Sequence, residues 1–466
     1  MKSKVIVIYD DTRKPSREIA SITGQKSFGD TIFKRKTLRE RVSAIFGSFE
    51  YVEKTICSSS SEILNLAGDV KVVLFFSDYG ITDEDEVKTL VYKACFAHEN
   101  YKITHDGKVA MVIFDSVESF KSASKEDFAG YTEIIAEGLV DLSLVSNFRT
   151  FITSGFEARF FNSLSGDEYT LTKKSENIPK LKAEYCYYEL LPDEMKQWFV
   201  RPFGYSENGS YASYKMQRYH MTDLAIRYVH GAISDDEFGD ILSKLFYFIN
   251  IRQKQEVSAK EYEEEAKRLY IDKVHDRIEK LKSLKEYEEI ASYVKSGTDY
   301  ESIDEIFLKY KALYEKIRAE IKFDFCKAIS HGDMCFSNIL YSRDVSLLLF
   351  IDTKGAQTKQ ELFMDPYYDL AKLSHSICGH YDYFNSDLYE IGINENLKTK
   401  INVFADNRSK VEIFKKFLSQ NGIDFRLVRL YEASLFLSML PLHMDRPKKV
   451  FAFILNAIAI LESLEV

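Results

Sequence analysis

Between residues 331 and 352 the chain reads His331-Gly332-Asp333-Met334-Cys335-Phe336-Ser337-Asn338-Ile339-Leu340, and shortly afterwards Leu347-Leu348-Leu349-Phe350-Ile351-Asp352. An Asp followed five residues later by an Asn sets a carboxylate and an amide oxygen on one loop. The apolar run that follows has the length and composition of a buried strand, and it ends in a second Asp. Carboxylate and amide oxygens are hard donors of the kind Mg²⁺ prefers. A little further on, Asp365-Pro366-Tyr367-Tyr368-Asp369-Leu370-Ala371 has the look of a helix start, with Pro and acidic residues in its first turn. An isolated His-Gly-Asp would mean little. The full set, in this order and with a strand between its parts, is a specific pattern.

Transfer of a phosphoryl group to a hydroxyl needs a carboxylate to orient the hydroxyl, oxygen ligands for Mg²⁺, and a cation on the phosphates that stay behind. The passage resembles the aminoglycoside phosphotransferase and choline kinase superfamily, whose signature is His-Gly-Asp, four residues, Asn, then a strand ending in Ile-Asp. The resemblance implies a protein-kinase-like fold using ATP and Mg²⁺. Asp333 would be the catalytic carboxylate, with Asn338 and Asp352 as metal ligands. His331 would hold the loop through hydrogen bonds, and Asp369 would brace it from a helix start.

The same resemblance makes demands upstream. Gly155 and Phe156, in Thr153-Ser154-Gly155-Phe156-Glu157, stand where a nucleotide-covering turn belongs. The strand Tyr169-Thr170-Leu171-Thr172-Lys173-Lys174 should carry the phosphate-pairing lysine. Strand alternation puts Lys173 on the face of Leu171, which favours it over Lys174. Glu184 is the preferred carboxylate partner from the following helix, ahead of Glu189. Backbone from Met216 to Arg218 would meet the adenine. Gly332 stands where protein kinases have an Arg, Ile351-Asp352-Thr353 replaces Asp-Phe-Gly, and no Ala-Pro-Glu follows. These departures point to a small-molecule acceptor, not a protein, and to no activation-segment phosphorylation.

Working outward, residues 148–222 read as a small antiparallel β-lobe with one helix. Its strand candidates are Phe151–Ser154, Arg159–Asn162, Tyr169–Lys173 and Tyr211–Gln217. Residues 223–466 read as a helical lobe. The Gly- and Pro-free stretch 240–296 suits one or two long surface helices, and no strict heptad supports a coiled coil. His380-Tyr381-Asp382-Tyr383-Phe384-Asn385-Ser386-Asp387 is either an aromatic and acidic acceptor site or a polar loop with core aromatics. Trp198 is the only Trp and falls in the small lobe, so no Trp-lined cation cage is apparent.

Residues 1–147 alternate strand-like runs (Val5–Tyr9, Val70–Phe76, Val109–Phe114) with helical ones (Thr37–Phe46, Asp83–Ala97). That predicts a Rossmann-like α/β domain with a largely parallel sheet. It resembles, faintly, a nucleotidyltransferase domain. Asp10-Asp11-Thr12-Arg13-Lys14-Pro15 follows its first strand where that family has a glycine loop, so a degenerate or binding-only domain is favoured over an active one. Gly24-Gln25-Lys26-Ser27-Phe28-Gly29-Asp30 is a possible but weak phosphate loop.

A net charge of −9 argues against nucleic acid or an anionic membrane as the main partner. Six scattered cysteines without C-x-x-C spacing suit a reducing cytoplasm. The apolar start is too short for a signal peptide, and Val450–Leu461 is too short to span a bilayer. The combined expectation is a cytoplasmic small-molecule kinase for a sugar, polyol or amino alcohol, in the setting of bacterial surface-glycan assembly. Two alternatives stay open: an N-terminal domain active as a sugar-phosphate nucleotidyltransferase, and a catalytically silent kinase fold.

Overall fold

The computed structural model describes residues 4–57, 63, 65–68, 70–123, 127–154 and 162–465. The chain divides into two compact units, Met1–Glu157 with His230–Ala232, and Ala158–Val229 with Ile233–Val466.

The first unit is built on strands β1 (Lys4–Asp10), β2 (Val52–Cys57), β3 (Val70–Phe76), β4 (Tyr101–His105), β5 (Lys108–Phe114) and β6 (Thr132–Ile135), in the order β2-β1-β3-β5-β4-β6. β1 is Val-Ile-Val-Ile-Tyr at its centre and buries all five of those side chains, as a central strand covered on both faces must. β1 pairs in parallel with β2 and β3, but β5 runs antiparallel to both β3 and β4. The sheet is therefore mixed, not largely parallel. The tight turn at Asp106-Gly107, where both residues have positive φ, joins β4 to β5 as a hairpin, and a hairpin can only be antiparallel. Helix α1 (Leu38–Gly47) starts from a Thr37/Glu40 capping box, and α2 (Glu84–Ala94) from Asp83, whose carboxylate accepts from the amides of Asp85 and Glu86.

The strand candidate Phe151–Ser154 is the end of a helix, α3 (Val145–Ser154), within the first unit. Phe148, Phe151 and Ile152 recur at helical spacing and are buried, with Phe151 stacked on Phe33 at 4.2 Å. Their burial, about 1.5–3 kcal/mol for each large apolar side chain, outweighs the local β-propensity of a Phe-Ile-Thr run. The first unit thus includes the described residues of this helix, beyond position 147. The candidate turn residues Gly155 and Phe156, and most of the strand candidate at 159–162, lie outside the described residues.

The second unit opens with a four-stranded antiparallel sheet of β7 (Asn162–Gly166), β8 (Thr170–Ser175), β9 (Pro202–Glu207) and β10 (Ala212–Gln217), ordered β7-β8-β10-β9. Helix α4 (Ile178–Leu190) connects β8 to β9. β9 escaped the sequence reading because Pro202 and Gly204 interrupt it; the register slips between Phe203 and Ser206, and Gly204 has φ +62°.

Beyond this sheet the unit is mainly helical. Helices α5 (Asp235–Ile251), α6 (Ala259–Lys267), α7 (Lys273–Lys282) and α8 (Ile303–Ala319) are followed by strands β11 (Cys326–Ile329), β12 (Ile339–Ser342) and β13 (Leu347–Phe350). Then come α9 (Tyr367–Ile377), α10 (Tyr381–Asn385), α11 (Phe425–Met439) and α12 (Pro447–Ser463). The α6–α7 run, continuous through a π turn at Arg268–Asp272, is not a plain surface helix: Ala266, Tyr270, Val274, Ile278 and Leu281 form a buried stripe in the main core. The apolar segment Val450–Leu461 lies in α12 and is buried in that same core. Among the described residues no helix is long and apolar enough to cross a membrane.

Candidate active site

Lys173 projects from the inner face of β8 and is 4% exposed, whereas Lys174 is exposed and lies 3.4 Å over the Tyr211 ring. The Lys173 ammonium donates to Glu184 Oε2 at 2.6 Å and to Asp352 Oδ1 at 2.8 Å. Burial by itself lowers its pKa, but Asp352, Tyr214 and Glu184 together hold it above that of a free lysine. Burial pushes the Glu184 carboxyl up, against the pull of Lys173. Tyr214 on β10 reaches Glu184 Oε2 at 3.5 Å. Glu189, further along α4, is exposed.

The loop from His331 to Asn338 joins β11 to β12 and is fixed from below by Asp369 of α9. That carboxylate, fully buried, accepts from the amides of His331 (3.0 Å) and Gly332 (2.8 Å) and from Arg252 Nη1 (3.0 Å). Arg252 is the residue the sequence reading missed; only the buried end of α5 against α9 brings it to Asp369. Gly332 has φ +79°, and a Cβ there would meet the Lys354 side chain at 2.6 Å, so any larger residue, arginine included, would be strained in this conformation.

His331 is fully buried. Its Nδ1 accepts from the amide of Asp333 (3.1 Å), so Nε2 carries the proton donated to the Ile351 carbonyl (2.9 Å). Burial lowers its pKa despite the neighbouring Asp369 and Asp333 carboxylates. It ties the loop to the end of β13 as a neutral ring. Asn338 Nδ2 donates to the Asp333 carbonyl at 2.8 Å, which leaves its Oδ1 available as an acceptor. The Asn338 carbonyl also accepts from the Ile351 amide, one residue before Asp352.

Asp352 adopts φ +56°, a left-handed conformation uncommon for a non-glycine residue and frequent where strain serves a site. Its side chain is 48% exposed, with one oxygen on Lys173. The chain then turns through Gly355 (φ +83°), where a Cβ would lie 2.9 Å from Ala183, and Ala356 donates to the Ala183 carbonyl. The post-Asp352 loop is thereby tied to α4 one residue before Glu184, which brings three chain segments to Lys173.

An open cleft runs between these elements, lined by Glu184, Tyr187, Tyr214, Met216, Ile351 and Asp352. Met216 contributes its side chain, but its backbone is spent on the sheet, opposite Leu171 and Pro202. The Arg218 amide is likewise taken, by the Tyr169 carbonyl at 2.9 Å. Beyond Arg218 the backbone leaves the sheet, at 219–221. The segment His380–Asp387 is core: Tyr381, Asp382, Tyr383 and Phe384 are all buried, and burial pushes the Asp382 carboxyl up to about 7. Asp387, at the end of the segment, is 36% exposed and pairs with Arg446 at 2.8 Å. Trp198 packs against Phe248 and Phe350, not in a cage.

No family model and no curated protein matches the chain. Solved structures do. Among the structures it resembles are aminoglycoside phosphotransferases. A ligand-free thermostable mutant of aminoglycoside phosphotransferase APH(4)-Ia is 10% identical, over 65% of this chain and 94% of that one, with a TM-score of 0.37. A further mutant of the same enzyme, in a ternary complex with ADP and hygromycin B, gives 11%, 68%, 98% and 0.37. Aminoglycoside phosphotransferase APH(3'')-Id from Streptomyces rimosus, in complex with ADP and streptomycin, gives 15%, 60%, 88% and 0.34. The functional reading rests on the site's own geometry.

Proposed function

We propose that the chain is an ATP- and Mg²⁺-dependent phosphotransferase that moves the γ-phosphoryl group to a hydroxyl of a small molecule. The observation that carries this reading is the buried Lys173 ammonium held between Glu184 and the half-exposed Asp352 at the mouth of a cleft. A buried lysine paired on one side with a buried carboxylate, and on the other with an open one, is poised to exchange the second partner for phosphate oxygens.

The residues fit Mg²⁺. Asn338 keeps its amide oxygen available and Asp352 keeps one oxygen uncommitted, which is the small set of hard protein donors that Mg²⁺ bound to nucleotide phosphates uses. Bound there, the ion would neutralise charge on the transferring phosphates. Asp333, 41% exposed, orients the acceptor hydroxyl and takes its proton as the new O–P bond forms. Lys173 fixes the phosphates of the departing ADP. His331, Asp369 and Arg252 keep the loop rigid, so that little reorganisation is needed during the reaction. We infer a sugar, polyol or amino alcohol as the acceptor, and a cytoplasmic role in bacterial surface-glycan assembly.

The test is ADP release from Mg·ATP against a panel of sugars, polyols, choline, ethanolamine and aminoglycosides, with Asp333→Ala and Asp352→Ala alongside. Acceptor-dependent release that both substitutions abolish supports the reading and names the substrate class. Failure of the unsubstituted protein to bind ATP overturns it in favour of a silent kinase fold. Pyrophosphate release from a nucleoside triphosphate and a sugar phosphate would instead assign activity to the first unit.

A further inference from the structure

The candidate catalytic carboxylate has a partner that the kinase reading does not require. Lys372 of α9 places Nζ 2.9 Å from Asp333 Oδ1, with its own side chain 14% exposed and that of Asp333 41% exposed. The loop from His331 to Leu340 contains no Lys or Arg, so the charge opposite Asp333 has to come from another element.

Its placement is systematic. Asp369, Lys372 and Ser376 are spaced i, i+3, i+7 on α9 and share one helix face. Asp369 takes the amides of His331 and Gly332, Lys372 takes the Asp333 side chain, and Ser376 Oγ accepts from the Phe336 amide at 3.0 Å. One stripe of one helix holds the loop at its start, at its reactive carboxylate and at its far side. Burial would favour loss of the Lys372 proton, but Asp333 holds it on. The next turn of α9 brings His375 near this pair without an opposing charge. His375 is fully buried, stacked on Tyr381 at 4.2 Å, and burial keeps it neutral.

We propose that Lys372 is a positioning residue, whose ammonium locks the Asp333 carboxylate in the orientation that receives the acceptor hydroxyl. The inference rests on the phosphotransferase reading above. A half-exposed Asp on a loop would otherwise sample several rotamers, and small misplacements at a reacting group cost large factors in rate. The ammonium also offsets the repulsion between this carboxylate and the incoming phosphate oxygens. In the step itself, the acceptor oxygen bonds to the γ-phosphorus while the bond to ADP breaks. The hydroxyl proton passes to Asp333, and Lys372 keeps its own.

The experiment compares wild type, Lys372→Met, Lys372→Arg, Asp333→Ala and the Asp333→Ala/Lys372→Met double variant, by Mg·ATP turnover against the acceptor panel, ATP affinity and thermal unfolding. Lys372→Met is expected to lower kcat about 100-fold, with the KM for ATP changed less than about threefold. Lys372→Arg should recover most of the loss. In the Asp333→Ala background, Lys372→Met should alter the residual rate by less than about threefold, because it acts through Asp333. An undiminished kcat overturns the proposal, as does an equal loss in the Asp333→Ala background. A loss of ATP affinity and unfolding temperature in step with kcat would make Lys372 merely structural. If Lys372→Met does not fold, Lys372→Gln replaces it with the same expectations. A wild type without turnover on any acceptor overturns the kinase reading, and this assignment with it.

Discussion

Each unit carries carboxylates held by neighbouring side chains, and the two units differ in what they leave open. In the first unit, Asp11 after β1 accepts from Ser27 Oγ (2.6 Å), the Gly29 amide (3.0 Å) and Arg39 (2.7 Å), and is 8% exposed. Arg13 makes a two-pronged pair with Asp78 and lies 3.8 Å over the Phe76 ring. Two donors that the loop Gly24–Asp30 could offer a phosphate, Ser27 Oγ and the Gly29 amide, are given to the protein's own carboxylate. In the second unit, Asp352 and Asp333 each have one lysine and stand 48% and 41% exposed. A network that satisfies itself is architecture, whereas one that holds its carboxylates in place yet leaves lone pairs facing solvent is prepared for a ligand.

The largest effect should come from the open carboxylates. Asp352→Asn keeps the shape and removes the charge; turnover should fall about 10³-fold or more, measured as ADP release. An enzyme that tolerates this substitution would erase the contrast between the two clusters. Next comes the closed pair beneath the loop. Arg252→Met leaves Asp369 buried and uncompensated, which should cost about 3–5 kcal/mol in urea unfolding.

Two carboxylates of opposite tendency sharpen the comparison through pH. Burial would raise the Asp11 carboxyl, but Ser27, Gly29 and Arg39 hold it below the ordinary aspartate value. Its contribution to stability is present above the unfolded pKa and is lost as pH falls through the folded one. Asp11→Ala should therefore destabilise by about 1–3 kcal/mol at pH 7, less in acid, with kinase turnover unchanged. Asp382 is shifted the other way, to about 7 by burial, and its Oδ2 has no hydrogen-bond partner among the described residues. Its stabilising contribution is complete below the unfolded pKa, near 3.8, and is lost as pH rises through about 7. Asp382→Asn should consequently stabilise at pH 8 by about 1–3 kcal/mol and much less at pH 4, read from thermal unfolding at the two pH values. The smallest effect belongs to Lys174→Ala, which removes an exposed cation–π contact worth about 0.5–1 kcal/mol. Turnover should stay within about threefold; a loss as large as that expected of Asp352→Asn would return Lys174 to contention.

Much of the second unit was legible locally. The spacing of Asp333, Asn338 and Asp352 reflects a loop and a hairpin whose geometry is set within a few residues, and alternation on β8 separates Lys173 from Lys174 because pleating is a local property. Phe151–Ser154 misled for the opposite reason: its propensity is β-like, and only the packing of Phe151 on Phe33 and of Phe148 on Phe28 makes the segment helical. The antiparallel pairings of β5, the burial of the Tyr381–Phe384 segment, and the ladder that consumes the backbone of Met216 depend on partners far away in sequence.

By itself, then, the sequence determined which chemical groups this protein has and which neighbours share a loop, a strand face or a helix stripe, because those relations follow from backbone geometry over a few residues. Tertiary structure alone decided which of those groups remain available. Asp11 and Asp352 both follow an apolar strand. One is closed by Arg39 and the Gly29 amide, and the other stays open beside Lys173, because solvent exposure and charge pairing are fixed by segments that meet only when the chain is folded.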